Sequence, residues 1–224
     1  MANILGTSGD DELTGTPAGD QIYGYAGDDI LRGNAGNDSL YGGSHDDVLE
    51  GGDGNDYLSG GSYDDFLIGG AGHDILYGGD HDDVLVGGAG DDRLVAGTGV
   101  DELRGGAGAD SLDVTGKAIV TDIIDGGEGV DTLTVSDGQD LSGAPLSGVE
   151  VLVGAGTIRL TVEQLSQLSE LRGVNVRLIG DDTNFETPAT VSLTNGAWVA
   201  LTNGTILGTD GDDVLSAGAG DQAF

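Results

Sequence analysis

A nine-residue period runs without interruption from Gly6 to Asp113 and constrains the fold more than any other feature of the chain. It comprises twelve consecutive blocks, each with Asp at its sixth place and Leu or Ile at its eighth. Eleven of the blocks open with Gly, and most repeat Gly at the second and fourth places. A fixed short period of this kind is typical of a solenoid, in which equivalent units stack on one another.

Each block divides into a Gly-rich turn and a three-residue strand whose middle residue is the eighth-place Leu or Ile. Because side chains alternate along a strand, we expect this residue to face inward and its two neighbours to face outward. Two blocks, or 18 residues, then make one flattened coil with a turn at each edge. The predicted fold class is therefore all-β, a parallel β-roll with two nonapeptides per coil.

In this arrangement the sixth-place aspartates form one column along each edge of the roll. The odd-numbered blocks contribute Asp11, Asp29, Asp47, Asp65, Asp83 and Asp101, and the even-numbered blocks contribute Asp20, Asp38, Asp56, Asp74, Asp92 and Asp110. Carboxylates ~4.8 Å apart repel by roughly 3–4 kcal/mol at an effective dielectric constant of ~20. Summed along both columns, this repulsion exceeds the ~5–15 kcal/mol stability of a typical domain. The stack should therefore need cations between its carboxylates.

The available ligands predict that these cations are calcium. They are carboxylate and carbonyl oxygens, since the chain has no Cys and three His. Calcium accepts 6–8 such oxygens in flexible geometry, whereas magnesium requires a strict octahedron. Five gaps in each column predict up to about ten Ca²⁺ sites. A zinc site is not expected, because His45 and His81 lie two coils, or ~9–10 Å, apart, and zinc needs nitrogen ligands at ~2.0–2.1 Å.

The composition excludes several classes of function. The net charge of −33, from 40 acidic and 7 basic residues, argues against nucleic acid and anionic membranes as partners. No stretch approaches the ~18 apolar residues of a membrane span. Residues 1–6 lack the basic and apolar segments of a signal peptide, so none is expected. The chain also has no nucleophile elbow, HExxH motif or P-loop, so we expect it not to be an enzyme.

Residues 51–59 read Gly-Gly-Asp-Gly-Asn-Asp-Tyr-Leu-Ser, and the blocks that open at Gly69, Gly87 and Gly105 follow the same pattern. These blocks resemble the RTX nonapeptide, Gly-Gly-x-Gly-x-Asp-x-U-x, in which U is a large apolar residue. The resemblance implies a parallel β-roll in which the sixth-place Asp of blocks n and n+2, together with turn carbonyls, holds each calcium ion. It also implies type I secretion, with folding outside the low-calcium cytosol.

The fourth place departs from Gly in four blocks, at Ala18, His45, Tyr63 and His81. His tolerates left-handed backbone geometry better than most residues, but Tyr does not. Either the turn relaxes at these positions or it stores strain.

The two outward faces of the predicted roll differ in chemistry. Odd strands carry an apolar row, Ile30, Val48, Phe66 and Val84. This row is consistent with ordinary β-propensity, or with contact to the second half of the chain or to another copy. Even strands carry Tyr23, Tyr41, Tyr57 and Tyr77, which could stack on the sugar rings of a polysaccharide.

The period breaks after Asp113, and one further block, with Asp131 at its sixth place, follows at 126–134. The pattern predicts short strands at 149–153, 157–161, 174–179, 191–193 and 198–201. A capping box at Thr161 predicts a short helix that continues through Leu171. We therefore expect residues 1–113 to form the roll and 114–205 a β-rich connector or cap. Residues 206–215 repeat the pattern of residues 4–13, so 206–224 should begin a second RTX block with Asp213 as its sixth-place Asp.

The expected function is that of a calcium-binding structural module in a secreted or cell-surface protein. It would fold and become rigid on binding extracellular calcium and could assemble into arrays, as the layout is similar to that of large RTX surface-layer proteins and adhesins. One alternative is the non-catalytic export and folding module of a type I secreted enzyme. Another is a polysaccharide-binding module that uses the Tyr face.

Overall fold

The computed structural model describes residues 1–117, 121–178 and 206–207, which form two parallel β-sheets and one short helix. The strands in chain order are β1 (Asn3–Leu5), β2 (Glu12–Thr14), β3 (Gln21–Ala26), β4 (Ile30–Ala35), β5 (Ser39–Ser44), β6 (Val48–Asp53), β7 (Tyr57–Ser62), β8 (Phe66–Ala71), β9 (Ile75–Asp80), β10 (Val84–Ala89), β11 (Arg93–Thr98), β12 (Glu102–Ala107), β13 (Ser111–Asp113), β14 (Ile123–Glu128), β15 (Thr132–Val135), β16 (Leu146–Ser147), β17 (Val151–Leu160), β18 (Glu170–Leu178) and β19 (Ile206–Leu207). The helix, α1 (Val162–Gln167), lies between β17 and β18.

From β1 to β17, successive strands alternate between the two sheets, and β18 and β19 then follow β17 in the same sheet. One sheet has the order β1-β3-β5-β7-β9-β11-β13-β15-β17-β18-β19, and the other has the order β16-β14-β12-β10-β8-β6-β4-β2. All the paired strands are parallel, and up to β13 each residue pairs with the residue 18 positions along the chain, as Leu40 does with Leu58. The predicted fold, a parallel β-roll with an 18-residue coil, is confirmed.

The inner strands are six residues long, so the predicted length of three was wrong. Strand β6, for example, continues through Gly51 and Gly52 to Asp53. Gly52 has φ +110°, and a Cβ on it would collide with the carbonyl group of Asn34 on the coil before. Because Gly has no Cβ, consecutive coils can approach closely enough to keep their backbones paired past the apolar residue.

The core is a double column of eighth-place side chains, one column from each sheet. Ile22, Leu31, Leu40, Leu49, Leu58, Leu67, Leu76, Leu85, Leu94, Leu103 and Leu112 are completely buried. Their neighbours on each strand alternate outward, as in β6, where Leu49 is buried between the exposed Val48 and Glu50. The inward orientation predicted for the eighth place is confirmed. Each of these burials contributes roughly 1.5–3 kcal/mol.

The stack continues past the end of the regular period. Residues 114–116 are extra, so the pairing distance changes from 18 to 21 residues, with Leu103 beside Ile124 and Leu112 beside Leu133. Strands β14 to β18 then extend the same two sheets. Division of the chain into modules at residues 113 and 205 remains a prediction.

The helix is shorter than the capping box suggested. Thr161 and Gln164 form the predicted reciprocal cap, but α1 ends at Gln167. Leu171 was expected on the helix and instead lies in β18, paired with Leu152. The backbone amide of Ser169 donates to the carbonyl oxygen of Glu150, so pairing with the sheet ends the helix early.

Two predicted strands, 149–153 and 157–161, form the single strand β17, which has a bulge between Val153 and Gly156. The strand predicted at 174–179 falls within β18 as far as Leu178. The strands predicted at 191–193 and 198–201, and Asp213, lie outside the described residues. Within the described ranges, no helix is both long and apolar enough to cross a bilayer.

Candidate metal centre

The sixth-place aspartates form two internal columns, one at the entry to the strands of each sheet. From Asp20 to Asp110 every one of them is no more than 2% exposed. Asp131 continues the even column after Asp110, because β15 pairs with β13. The two columns predicted from the sequence are therefore present as rows of buried carboxylates.

From Asp29 and Asp38 onward, one oxygen of each column carboxylate accepts a hydrogen bond from a backbone amide of the preceding coil. The amide of Asp38 donates to Oδ1 of Asp56, and the amide of Asp56 donates to Oδ1 of Asp74, with N···O distances of 2.8 and 2.7 Å. The same bond recurs along both columns at 2.6–2.9 Å. These bonds fix the orientation of each carboxyl group and leave its second oxygen pointing away from the amide.

That second oxygen has no hydrogen-bond partner in ten of the column residues within the described part of the chain. The ten unpartnered, buried Oδ2 atoms belong to Asp29, Asp38, Asp47, Asp56, Asp65, Asp74, Asp83, Asp92, Asp110 and Asp131. Leaving a buried polar group unsatisfied costs about 1–3 kcal/mol, and more when the group is charged. A row of such atoms points to a ligand that the protein itself does not supply.

The first-place glycines leave space beside each unpartnered oxygen. A Cβ on Gly51 would collide with Oδ2 of Asp56 and would lie 2.7 Å from the carbonyl oxygen of Gly69 on the next coil. The space is thus bordered by a carboxylate oxygen and a main-chain carbonyl. Both are hard oxygen donors of the kind that calcium prefers.

Side chains alone do not complete a metal site here. Within the described residues, no group of three or more His, Cys, Asp or Glu side chains is arranged to hold a metal ion. Any ion in these columns would therefore depend on main-chain carbonyl oxygens as well as carboxylates. This requirement favours a large cation with flexible coordination over zinc.

Burial is the main influence on the protonation of the columns. It raises the pKa of Asp56 and Asp110 to about 6, of Asp47, Asp65 and Asp92 to about 7, and of Asp83 to about 8. Repulsion between neighbouring carboxylates also raises these pKa values, but by less than desolvation does. Without a cation, loss of hydration therefore costs the charged columns more than the mutual repulsion emphasised by the sequence argument.

The N-terminal ends of both columns are satisfied by the protein itself. The backbone amide and Oγ1 of Thr7 donate to Oδ2 of Asp11, and those of Thr16 donate to Oδ2 of Asp20. The amide of Ala2 donates to Oδ1 of Asp20. Backbone hydrogen bonds from Thr16 and Ala2 lower the pKa of Asp20 to about 2. These two carboxylates thus differ chemically from the ten that follow.

The C-terminal ends of the columns contain acidic residues that the sequence analysis missed. The amide of Asp101 donates to Oδ1 of the buried Asp122 at 2.9 Å, and the amide of Asp131 donates to Oε2 of Glu150. Lys117 contacts Oδ2 of both Asp101 and Asp122. Counting nine residues back from Gly126 would have revealed a degenerate block at 117–125, with Asp122 at its sixth place and Ile124 at its eighth.

Three of the fourth-place replacements form a stack on the odd edge. His45, Tyr63 and His81 have φ values of 81°, 83° and 84°, so the turn keeps its left-handed geometry. Each His ring lies 5.2 Å from the Tyr63 ring, with an interplanar angle of 6°. From Gly27 onward, the fourth-place glycines have φ values of 107–145°, so the turn shifts toward smaller φ at these three residues but stays left-handed, and the expected strain is retained. The Tyr63 ring therefore lies between the two His rings.

The outward faces carry the two predicted side-chain rows. Ile30, Val48, Phe66 and Val84 lie in register on neighbouring strands, and Val48 and Phe66 are each 38% exposed. On the other sheet, consecutive rings of Tyr23, Tyr41, Tyr57 and Tyr77 are 4.9–5.6 Å apart. The tyrosines thus contact one another along the sheet.

Fold and site together define a parallel β-solenoid with internal carboxylate columns. The model of the RTX calcium-binding nonapeptide repeat (4 copies) matches residues 5–40, 23–58, 59–94, 86–115, 121–141 and 202–221, more than half of the chain. The chain therefore belongs to this family and is a calcium-binding repeat module. Repeats of this family occur in secreted proteins. No curated protein matches the chain.

Proposed function

We propose that the two columns bind Ca²⁺ beside the ten unpartnered Oδ2 atoms, and that these ions make the chain a rigid extracellular module. The first-place carbonyl oxygens of adjacent coils would share each ion with the carboxylates. Asp11, Asp20 and Asp101 are left out of this ligand set because their Oδ2 atoms already have partners within the chain. Asp213 would serve a second roll.

The row of buried, unpartnered carboxylate oxygens carries this proposal. In the unfolded chain these carboxylates are hydrated, whereas in the roll they are dehydrated and need a positive charge beside them. Binding of the ion is therefore coupled to folding, and its free energy becomes folding free energy. Such a chain would stay unfolded in a low-calcium cytosol and fold after export, which supports type I secretion and a role in a secreted or cell-surface protein.

A calcium titration of the chelated protein tests this coupling. We expect circular dichroism to change from a disordered to a β-rich spectrum as calcium is added, and equilibrium dialysis to show several ions per chain at saturation. Magnesium at the same concentration should not replace calcium, because it demands a stricter geometry. An identical β-rich spectrum in excess chelator at neutral pH would contradict the proposal.

A matched pair of substitutions tests the assignment of the ligands. Asp56→Asn keeps the shape of the side chain but removes a carboxylate charge from the even column. Asp53→Asn removes the same charge from an exposed third-place residue three positions earlier. We expect the calcium midpoint to rise clearly for Asp56→Asn and to change little for Asp53→Asn. Equal midpoints for the two variants would reject the column as the ligand set.

Array formation is the second part of the proposal. Ile206 and Leu207 correspond to Ile4 and Leu5 in the repeated pattern, and as β19 they pair with β18 in the long sheet. This pairing supports a second roll that continues the stack of the first. We therefore propose a module at 1–113, a connector at 114–205 and a second roll that starts at 206.

Self-association through the apolar row would connect such modules laterally. Phe66 is at the centre of the row and is paired on both sides with Val48 and Val84. If copies associate through this face, Phe66→Glu should shift calcium-saturated protein toward monomer in sedimentation velocity, while Tyr77→Glu on the other sheet should not. A wild-type protein that is already monomeric would remove this part of the proposal.

The Tyr face gives less support to polysaccharide binding. The Tyr23 and Tyr41 rings are stacked at 4.9 Å with an interplanar angle of 6°, so they cover each other's faces. A sugar ring needs such a face to be free. The contacts favour a role for these tyrosines as a ladder that stabilises the sheet.

A further inference from the structure

We propose that Lys117 is the resident cation of the last interval in the odd column, so the gap between Asp101 and Asp122 is closed without calcium. The proposal rests on the proposed function only in assigning calcium to the other intervals. The ion pairs of Lys117 with Asp101 and Asp122 then hold, without a metal ion, the coil that follows the three extra residues 114–116.

The contacts of Lys117 are those expected of a cation in the column. Its Nζ lies 2.8 Å from Oδ2 of Asp122 and also contacts Oδ2 of Asp101. The lysine side chain is 7% exposed, and both carboxylate side chains are completely buried. One coil earlier, Oδ2 of Asp83 is buried without a partner. The lysine therefore satisfies here the oxygen that is left unsatisfied elsewhere.

The place of Lys117 in the repeat supports the same conclusion. Lys117 lies five residues before Asp122 and therefore occupies the first place of the degenerate block. Almost every other block has Gly at this place. The other exception is Ala96, the first-place residue of the block that contains Asp101. A Cβ on Gly78 would collide with Oδ2 of Asp83. Ala96 stands at the register position of Gly78 on the next coil, so we infer that its methyl group enters the equivalent space beside Asp101. Both first-place side chains around this interval therefore occupy the space that glycine leaves open elsewhere.

The Lys117 ammonium group and a calcium ion cannot both occupy the interval between Asp101 and Asp122, because both are positively charged. An ammonium group between Asp101 and Asp122 already neutralises part of their charge, and it would strongly repel a divalent ion placed at the same oxygens. The covalent connection also makes the ammonium available at any calcium concentration. The interval should therefore contribute no calcium site and should hold strand β14 beside β12 without an ion.

The sequence offers a direct test, because Lys117 is the only lysine in the chain. The calcium-saturated full chain is treated with an amine-reactive ester and analysed by peptide mass spectrometry. We expect the α-amino group of Met1, whose side chain is 80% exposed, to be acylated, while Lys117 stays unmodified until the protein is denatured. Acylation of both amines at the same rate in the folded protein would overturn the proposal. This readout does not depend on how many ions are bound.

A second test restores the consensus residues. The double variant Ala96→Gly/Lys117→Gly replaces both first-place side chains with glycine and leaves Asp101 and Asp122 in position. Equilibrium dialysis should show one more bound calcium per chain than wild type. The matched control is Arg104→Met, which removes an exposed cation and should leave the calcium count unchanged. A folded double variant with the wild-type calcium count would overturn the proposal, whereas failure of wild type to bind calcium would reject only the proposed function.

Discussion

At the scale of single residues, the two carboxylate oxygens have different tasks in each of the ten column aspartates whose Oδ2 is unpartnered. Oδ1 accepts a hydrogen bond from a backbone amide of the preceding coil and so fixes the stacking register. Oδ2 faces the space beside the first-place Gly. The glycine at this place is needed for its small size and not for its conformational freedom. Gly51, for example, has no left-handed φ, unlike Gly52.

This distinction predicts the effect of a methyl group at the first place. Gly51→Ala should weaken calcium binding and destabilise the calcium-saturated roll by about 1–3 kcal/mol, because the new Cβ collides with Oδ2 of Asp56. Gly9→Ala is the control, since a Cβ there meets nothing within 4 Å. Urea unfolding and calcium titration measure both effects. Equal stability of the two variants would show that the first-place space is not needed.

Substitutions at the strained Tyr63 can separate the effect of backbone strain on stability from the effect of ring stacking. Tyr63→Ala removes the stack with His45 and His81 but keeps a side chain at a φ of 83°. Tyr63→Gly removes both the stack and the strain. Because left-handed geometry costs a non-glycine residue roughly 1–2 kcal/mol, Tyr63→Gly should be the more stable variant by about that amount. Thermal unfolding in saturating calcium tests this order, and a more stable Ala variant would show that the turn stores no strain.

At the scale of strands and the helix, the sequence predicted whatever depends on the unbroken period. Repeated spacing and side-chain alternation are enough to predict the 18-residue coil and the burial of Leu49 and its equivalents. They also predict the two aspartate columns. The capping box at Thr161 was also identified correctly because it is a local signal of four residues.

The elements that were missed depend on contacts between distant residues. The extra residues 114–116 shift the nine-residue register by three positions. This shift concealed Asp122 and its ion pair with Lys117. The helix ends before Leu171 because β18 pairs with β17, a long-range interaction that helix signals do not contain. The strands were predicted too short because the pairing of second- and third-place residues depends on how closely adjacent coils approach.

The cap of α1 provides a prediction at this scale. Gln164 completes the capping box with Thr161, and its side-chain amide also donates to the buried carbonyl oxygens of Leu141 and Ala144. Thr161→Ala should cost about 1 kcal/mol, the typical value for a lost N-cap. Gln164→Ala should cost more, because each buried carbonyl left unsatisfied adds about 1–3 kcal/mol. Urea unfolding in saturating calcium should rank the variants in this order, and the reverse order would mean that the two carbonyls find other partners.

At the scale of the whole molecule, the net charge of −33 is distributed between an exposed population of acids and two buried columns. The exposed acids remain hydrated whether the chain is folded or not. The buried carboxylates lose their hydration on folding, and desolvation raises the pKa of Asp47 to about 7 and of Asp83 to about 8. Protons and calcium are therefore alternative means of neutralising the same columns.

This competition predicts opposite pH dependences with and without calcium. The unfolded pKa of Asp is 3.8 and the folded values reach about 6 to 8, so between these limits the folded, metal-free chain binds more protons than the unfolded chain. The stabilisation is complete below the unfolded pKa and is lost as pH rises through the folded values. In chelator, β-sheet circular dichroism should therefore increase as pH falls from 8 to 5. With calcium, acidification should instead raise the calcium midpoint, because the ligands must be deprotonated.

A matched pair of variants tests whether the column carboxylates cause this dependence. Asp83→Asn removes the carboxyl group whose pKa is about 8, so the metal-free chain should keep more β-sheet at pH 8 than wild type does. Asp82→Asn changes the exposed neighbour and should leave the pH profile close to that of wild type. If the chelated wild-type chain loses β-sheet on acidification, or if the two variants behave alike, dehydration of the buried columns cannot be the reason that the roll needs a cation.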